Sequence, residues 1–257
     1  DMRGALTVTG DALLRGAGRD GVEIANGVDA MLSFGNLTID DPGRQGILIV
    51  DSSVDFTAGN LSIDGSGLSG IRLDFSTGDF TVGGNTLIQG SGFDGVSSVA
   101  TDMALTFNNL TVDGGGGDGI AFEDGRGSFM ATGTTTLSDL GGDGLSVEFD
   151  TSDITFADLN VSNATNGILL NRYRGVLDID GGSIADVTNG IDLSYAFAGT
   201  IDNVAFGTVG DAVVRAGASV LGGTGNTATG FGQLYEDLGE NDGTMTFTTP
   251  ATVIGED

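Results

Sequence analysis

The sequence predicts an all-β chain wound as a right-handed parallel β-helix, a β-solenoid of about ten coils of ~24 residues with three short strands in each. Three observations predict it. Glycine is spread throughout (47 of 257 residues), while proline occurs only at Pro42 and Pro250. Val, Ile, Thr, Phe and Leu recur in short alternating runs, the period of a strand with one buried face. A short motif returns at nearly constant spacing along most of the chain. Helices are disfavoured because a glycine every five or six residues costs about 1 kcal/mol each in a helix interior.

The motif is a glycine followed by an aliphatic residue, a spacer and a second apolar residue. It reads Gly21-Val22-Glu23-Ile24, Gly46-Ile47-Leu48-Ile49, Gly70-Ile71-Arg72-Leu73 and Gly95-Val96-Ser97-Ser98. It continues as Gly119-Ile120-Ala121-Phe122, Gly144-Leu145-Ser146-Val147, Gly167-Ile168-Leu169-Leu170 and Gly190-Ile191-Asp192-Leu193. Successive glycines lie 25, 24, 25, 24, 25, 23 and 23 residues apart, and only Ser98 breaks the apolar rule. A second run, Asn36-Leu37-Thr38-Ile39-Asp40, is nearly copied at Asn60–Asp64 and Asn109–Asp113. A third precedes it, as in Met103-Ala104-Leu105-Thr106-Phe107, and Phe34, Phe107 and Phe156 stand at one place relative to the second. Equivalent residues then stack roughly 4.8 Å apart, so ten coils make a rod on the order of 48 Å. The stacked aliphatics form a continuous core. The anchor glycine is expected at a turn of positive φ or at a close backbone approach. The Asp or Asn before it (Asp20, Asp94, Asp118, Asp143, Asn166, Asn189) suits hydrogen bonding along the stack.

Residues 1–220 are read as coils and 221–257 as an irregular C-terminal coil or cap on the same solenoid. Gly4-Ala5-Leu6-Thr7-Val8 parallels Gly175-Val176-Leu177-Asp178-Ile179, which makes the N-terminal residues one more coil. The glycine anchor lapses after Asp211-Ala212-Val213-Val214. Phe231, Leu234, Tyr235 and Leu238 then have helical spacing, predicting a short amphipathic turn or an irregular loop, and residues 244–249 read as a final strand. The chain begins at Asp1 and is expected to be a processed chain or an excised segment.

Charge narrows the function classes. There are 36 acids against nine arginines, with no Lys and no His, for a net charge of −27. Such a surface repels nucleic acid and anionic membrane faces. Cysteine is absent, which removes disulfides and thiolate metal sites, and no run of 18 apolar residues predicts a membrane span.

The Gly-Ile-x-Leu anchors, the Asn-Leu-Thr-Ile-Asp runs and Gly222-Gly223-Thr224-Gly225-Asn226-Thr227-Ala228 resemble the right-handed β-helix proteins of the pectin-lyase-like superfamily. Within it the similarity is to passenger regions of bacterial surface and autotransporter-type proteins. The resemblance covers residues 2–220. It implies a secreted or cell-surface rod for adhesion, spacing or scaffolding, extended by further coils of the same chain or by neighbouring subunits into a fibre. The superfamily also contains enzymes, so the alternative is a carbohydrate-binding or polysaccharide-degrading β-helix. Its hydrolases carry Gly-His-Gly and Arg-x-Lys segments, which a chain without His or Lys cannot have. Its lyases use calcium-binding acids with a basic residue, and Arg72, Arg126, Arg172 and Arg174 are the residues available here. An arginine is a poor base because its pKa exceeds ~12. Coils of constant length also leave no inserted loops to wall a cleft. The chain is expected not to be an enzyme.

Two groups of candidate site residues follow. Asp94, Asp118 and Asp143 precede successive anchors and should stack within roughly 5 Å, where a bound Ca²⁺ would relieve their repulsion or the side chains would splay into solvent. The glycine-rich stretches around Asp118 and Asp143 lack the nine-residue period of calcium-binding nonapeptide repeats. No cofactor is required. Under the alternative, Arg172, Tyr173, Arg174 and Tyr195 are the cluster that would contact a surface glycan.

Overall fold

The computed structural model describes residues 3–27, 29–196, 198–217, 219, 222–238, 246–247 and 253–254, and it is a parallel β-solenoid without helices. The predicted registry is the observed one. The short strands β2 (Val22–Ala25), β4 (Ile47–Val50), β6 (Ile71–Asp74), β8 (Val96–Val99), β10 (Ile120–Glu123) and β12 (Leu145–Glu148) pair in parallel, each with the equivalent strand of the next coil. Val22, Ile47, Ile71, Val96, Ile120 and Leu145 fall opposite one another, and the series continues to Ile168 and Ile191 in longer strands.

The three predicted runs per coil are present, two of them joined. In β5 (Ser53–Asp64), β7 (Thr77–Gln89) and β9 (Asp102–Asp113) the third run and the second form one strand that bends in the middle. The bend shows as register shifts at Ala58/Leu61 and Val82/Asn85. From β13 (Asp153–Asn171) onward the fusion moves, and β15 (Gly182–Ser194) and β17 (Val204–Gly217) join the second run to the anchor motif that follows it. The pairing offset falls there from 25 residues (Ile120 with Leu145) to 23 (Leu145 with Ile168). Between β13 and β15 the shorter corner lets the ladder run through without a register shift.

The core is a dry axial stack in which Ile47, Ile71, Val96, Ile120, Leu145, Ile168 and Ile191 are all fully buried. Six phenylalanines run through it (Phe34, Phe56, Phe80, Phe107, Phe129 and Phe156), with consecutive ring centroids 4.4 to 5.8 Å apart. They occupy two inward positions, with Phe56 and Phe80 directly opposite each other. Phe56, Phe80 and Phe129 are followed two residues later by Ala58, Val82 and Ala131, whereas Phe107 and Phe156 follow Leu105 and Ile154. One bulky ring and one smaller side chain per coil keep the volume constant, as close packing demands. Each buried ring or branched chain contributes about 1.5–3 kcal/mol. On the outside, asparagines form a ladder in which Asn60 Nδ2 donates to Asn36 Oδ1 at 2.7 Å and Asn109 Nδ2 to Asn85 Oδ1 at 3.0 Å.

The anchor glycines satisfy one of their two expectations. None has a positive φ; a Cβ on Gly46 would instead lie 2.6 Å from the Gly70 carbonyl oxygen, and one on Gly119 2.7 Å from that of Gly144. Close backbone approach is the reason for glycine. One row of left-handed residues sits five positions later, at Asp51 (φ 50°), Phe75 (50°), Ala100 (49°), Asp124 (55°), Phe149 (54°), Arg172 (53°) and Tyr195 (59°).

At the C-terminal end, Phe231, Leu234 and Tyr235 belong to β19 (Thr227–Asp237), a strand paired in parallel with β17, and not to a helical turn. The pairing ladder supplies hydrogen bonds that an isolated turn cannot. Of the predicted final strand, Thr246–Phe247 is a two-residue strand, and residues 244, 245, 248 and 249 lie outside the described residues.

Candidate functional site

Asp94, Asp118 and Asp143 stack on successive coils, as their positions before paired anchors require. They neither splay into solvent nor converge on a point. Asp94 Oδ1 accepts the Asp118 backbone N–H at 3.0 Å, and Asp118 Oδ1 accepts that of Asp143 at 2.7 Å. Asp143 Oδ1 accepts both the backbone N–H and the side-chain Nδ2–H of Asn166, at 2.9 and 2.8 Å. Asn189 Nδ2 continues the ladder to Asn166 Oδ1 at 2.9 Å. Asp94 and Asp143 are buried and Asp118 is half-buried. Burial raises the carboxyl pKa values of Asp94 and Asp118 above the usual range. It pushes Asp143 up to about 6, with the neighbouring Asp118 charge adding to the effect. Backbone N–H groups, strung along the axis, offset part of the cost of burying these carboxylates. Among the described residues no group of three or more acidic side chains is placed to hold a metal ion.

The four residues of the glycan cluster are divided by the fold. Tyr173 is fully buried, and its hydroxyl donates to the Ser152 carbonyl at 2.8 Å. Burial raises its pKa, and the Asp150 charge adds to that. It cannot contact a glycan, which corrects the sequence expectation. A register count explains why. Tyr173 stands six residues past its anchor, the place of Ser52, Ser76 and Thr101, all buried in the same corner column. Arg172 and Tyr195 occupy consecutive rungs of the left-handed corner, where Arg172 N–H donates to the Ser194 carbonyl at 2.6 Å. The Arg172 guanidinium turns to the other side and lies 5.1 Å over the Phe149 ring. Arg174 is exposed beyond the buried Tyr173.

A groove of about 340 Å³ lies elsewhere, across the outer face of β8, β10 and β12. The outward row of the short strands reads Leu48, Arg72, Ser97, Ala121, Ser146 and Leu169. Its three small members make the floor, and Arg72 closes one end. One side carries Phe93, 54% exposed, with Asp94 and Asp118; the other carries Val99, Glu123 and Glu148. Arg72, the one basic residue of the lining, is held by Asp74 at 2.8 Å. The sequence reading found Asp94 and Asp118 but missed the groove. The available signal was the run of small residues at the second position past three consecutive anchors.

Comparison with protein-family models, with curated proteins and with solved structures finds no match to this chain.

Proposed function

We propose that this chain is a non-catalytic rod segment of a secreted or cell-surface protein, serving as a spacer, scaffold or adhesive shaft. The observation that carries the reading is the parallel pairing of coil on coil at offsets that vary by only a few residues, with no long loop inserted at any corner from β2 through β17 among the described residues. A fold that spends its residues on equal coils makes length and rigidity, not walls around a reacting substrate. The resemblance to passenger regions of bacterial surface proteins within the pectin-lyase-like superfamily supports the same reading.

The N-terminal edge adds to it. Strand β1 (Arg3–Arg15) pairs on one side with β3 (Asp29–Asp40), and among the described residues nothing pairs with its other side. Leu6 is opposite the buried Leu32, at an inward core position, yet is 52% exposed. An open edge beside exposed core residues is a template for another parallel coil, from the same polypeptide or a neighbouring subunit. Electron cryo-microscopy of the protein as it occurs naturally tests the reading. Solenoid density continuing past β1 supports a rod, and Leu6→Asp should shorten particles formed by subunit stacking. A β1 edge closed by a non-solenoid partner, or turnover of a polysaccharide by the purified chain, would overturn it.

A further inference from the structure

Arg15, Arg19, Arg44, Arg72 and Arg215 each lie between 2.6 and 3.9 Å from an acid of their own chain. Arg126, Arg172 and Arg174 enter no ion pair among the described residues, in a chain with 36 acids. These three share one corner of the solenoid. In the left-handed row, Asp124, Phe149 and Arg172 stand on three successive rungs. Asp124 N–H donates to the Glu148 carbonyl at 3.2 Å, and Phe149 N–H to that of Asn171 at 2.9 Å. All three side chains are exposed, Phe149 by 44%. The Asp124 carboxylate has no ion pair or hydrogen bond among the described residues. The Arg172 guanidinium is steadied by the Phe149 ring face, 5.1 Å away. Two residues further along each coil, Arg126, Thr151 and Arg174 form the next column. Their N–H groups donate to the Thr101, Gly125 and Asp150 carbonyls at 3.0, 3.0 and 2.9 Å.

Read along the axis, the left-handed row is negative, aromatic and positive, with rungs roughly 4.8 Å apart. A two-fold axis through Phe149 that reverses the order of the rungs puts Asp124 opposite Arg172 and ring opposite ring. The row is its own electrostatic complement, as an isologous interface requires. We propose that this corner is a lateral docking surface for a second, antiparallel copy of the chain, in which Asp124 of each copy pairs with Arg172 of the other across facing Phe149 rings. Arg126 and Arg174 would lie at the rim, beside Asp102 and Asp153. Three arginines and three aspartates make the corner locally neutral, which lessens the repulsion that a −27 surface imposes on its own kind. Arginine and aromatic side chains are also the ones enriched in protein interfaces. A polyanion would meet the three aspartates along with the arginines, so a surface of the same mixed charge fits better. The contact is small, which makes the dimer weak and reversible. It is lateral, and separate from coil stacking at the β1 edge.

Sedimentation velocity over a concentration series tests the surface, in the Leu6→Asp background so that end-to-end stacking does not contribute. Salt is held at about 0.15 M, where the Debye length of about 8 Å screens the general repulsion. The parent is expected to form a reversible dimer. Arg172→Asp makes the row negative at both ends, and Asp124→Arg makes it positive at both ends. Each alone should weaken dimerisation about ten-fold or more. Mixed together, the two variants should recover a dimer, because each acid again meets an arginine. Asp and Arg already occur in this left-handed row, at Asp51 and Arg172, so the substitutions suit the backbone. Phe149→Ala, which matches Ala100 of the same row, should also weaken the dimer. Thermal unfolding of each variant checks that the fold is retained. A parent that stays monomeric would overturn lateral docking and leave the coil-stacking reading untouched. Variants that dimerise as the parent does, or a mixture that associates no more than its components, would overturn it as well. So would capture of an anionic polysaccharide through Arg172 by a chain that does not self-associate.

Discussion

Replacing Asp143 by Asn should stabilise the protein at neutral pH, although it removes a charge that accepts two hydrogen bonds. Asp143 is 8% exposed, and its carboxyl is raised from the usual 3.8 to about 6 by burial first and by Asp118 second. Other charges act on it: Asp192 two coils along, itself paired to Arg215 at 3.0 Å, raises it further, whereas the Asn166 donors lower it. The sign follows from proton linkage. Below about pH 4 the carboxyl is protonated in folded and unfolded chains alike; from about pH 4 to 6 only the folded chain keeps the proton, so stability falls as pH rises. Above about pH 6 the full penalty remains. A displacement of about two pKa units corresponds to a ceiling of about 3 kcal/mol. Water at the half-exposed Asp118 screens part of this, leaving about 1–2 kcal/mol. Asn at 143 would repeat what Asn166 already does one coil later, donating Nδ2–H to the preceding carboxylate and accepting from the following coil. Urea denaturation followed by circular dichroism, at about pH 4.5 and 7.5, measures both proteins. The wild type should lose more stability than Asp143→Asn between the two pH values, and the variant should be the more stable at the higher one. Protonation of the other acids relieves general repulsion in both proteins, so the difference between their slopes is the readout. Parallel slopes, or a variant less stable at about pH 7.5, would refute the linkage reasoning.

Three further outcomes are expected from the same structure. Phe80→Ala, in the middle of the ring stack and fully buried, should cost about 3–5 kcal/mol in urea unfolding, because Phe56 and Phe107 on either side cannot both collapse into the gap. Thr135→Val should stabilise by about 1 kcal/mol, since the Thr135 hydroxyl is buried without a hydrogen-bond partner and valine keeps the shape; an unchanged or lower urea midpoint would count against that. Gly46→Ala should destabilise by about 1–3 kcal/mol, because the added methyl would meet the Gly70 carbonyl of a neighbouring strand, and backbone there cannot rotate aside. A thermal midpoint equal to that of the wild type would show that the coils can separate locally.

The anchor spacing by itself determined the fold class, the registry and the inward stack. Parallel pairing of equal coils turns sequence period directly into spatial neighbourhood, so Val22 through Ile191 could be aligned before any coordinate was known. The same period carries the burial of Tyr173, which stands at the offset of the buried Ser52 and Ser76, although its residue type suggests a sugar contact. What the period cannot express is how a side chain at the corner is used. That Asp94, Asp118 and Asp143 accept the next coil's N–H depends on backbone direction within the turn, which only the tertiary structure decided. The groove likewise exists because small side chains at Ser97, Ala121 and Ser146 become neighbours across three coils, while Phe93 and the two glutamates rise beside them. Concavity is a property of adjacent coils together, and no single repeat contains it.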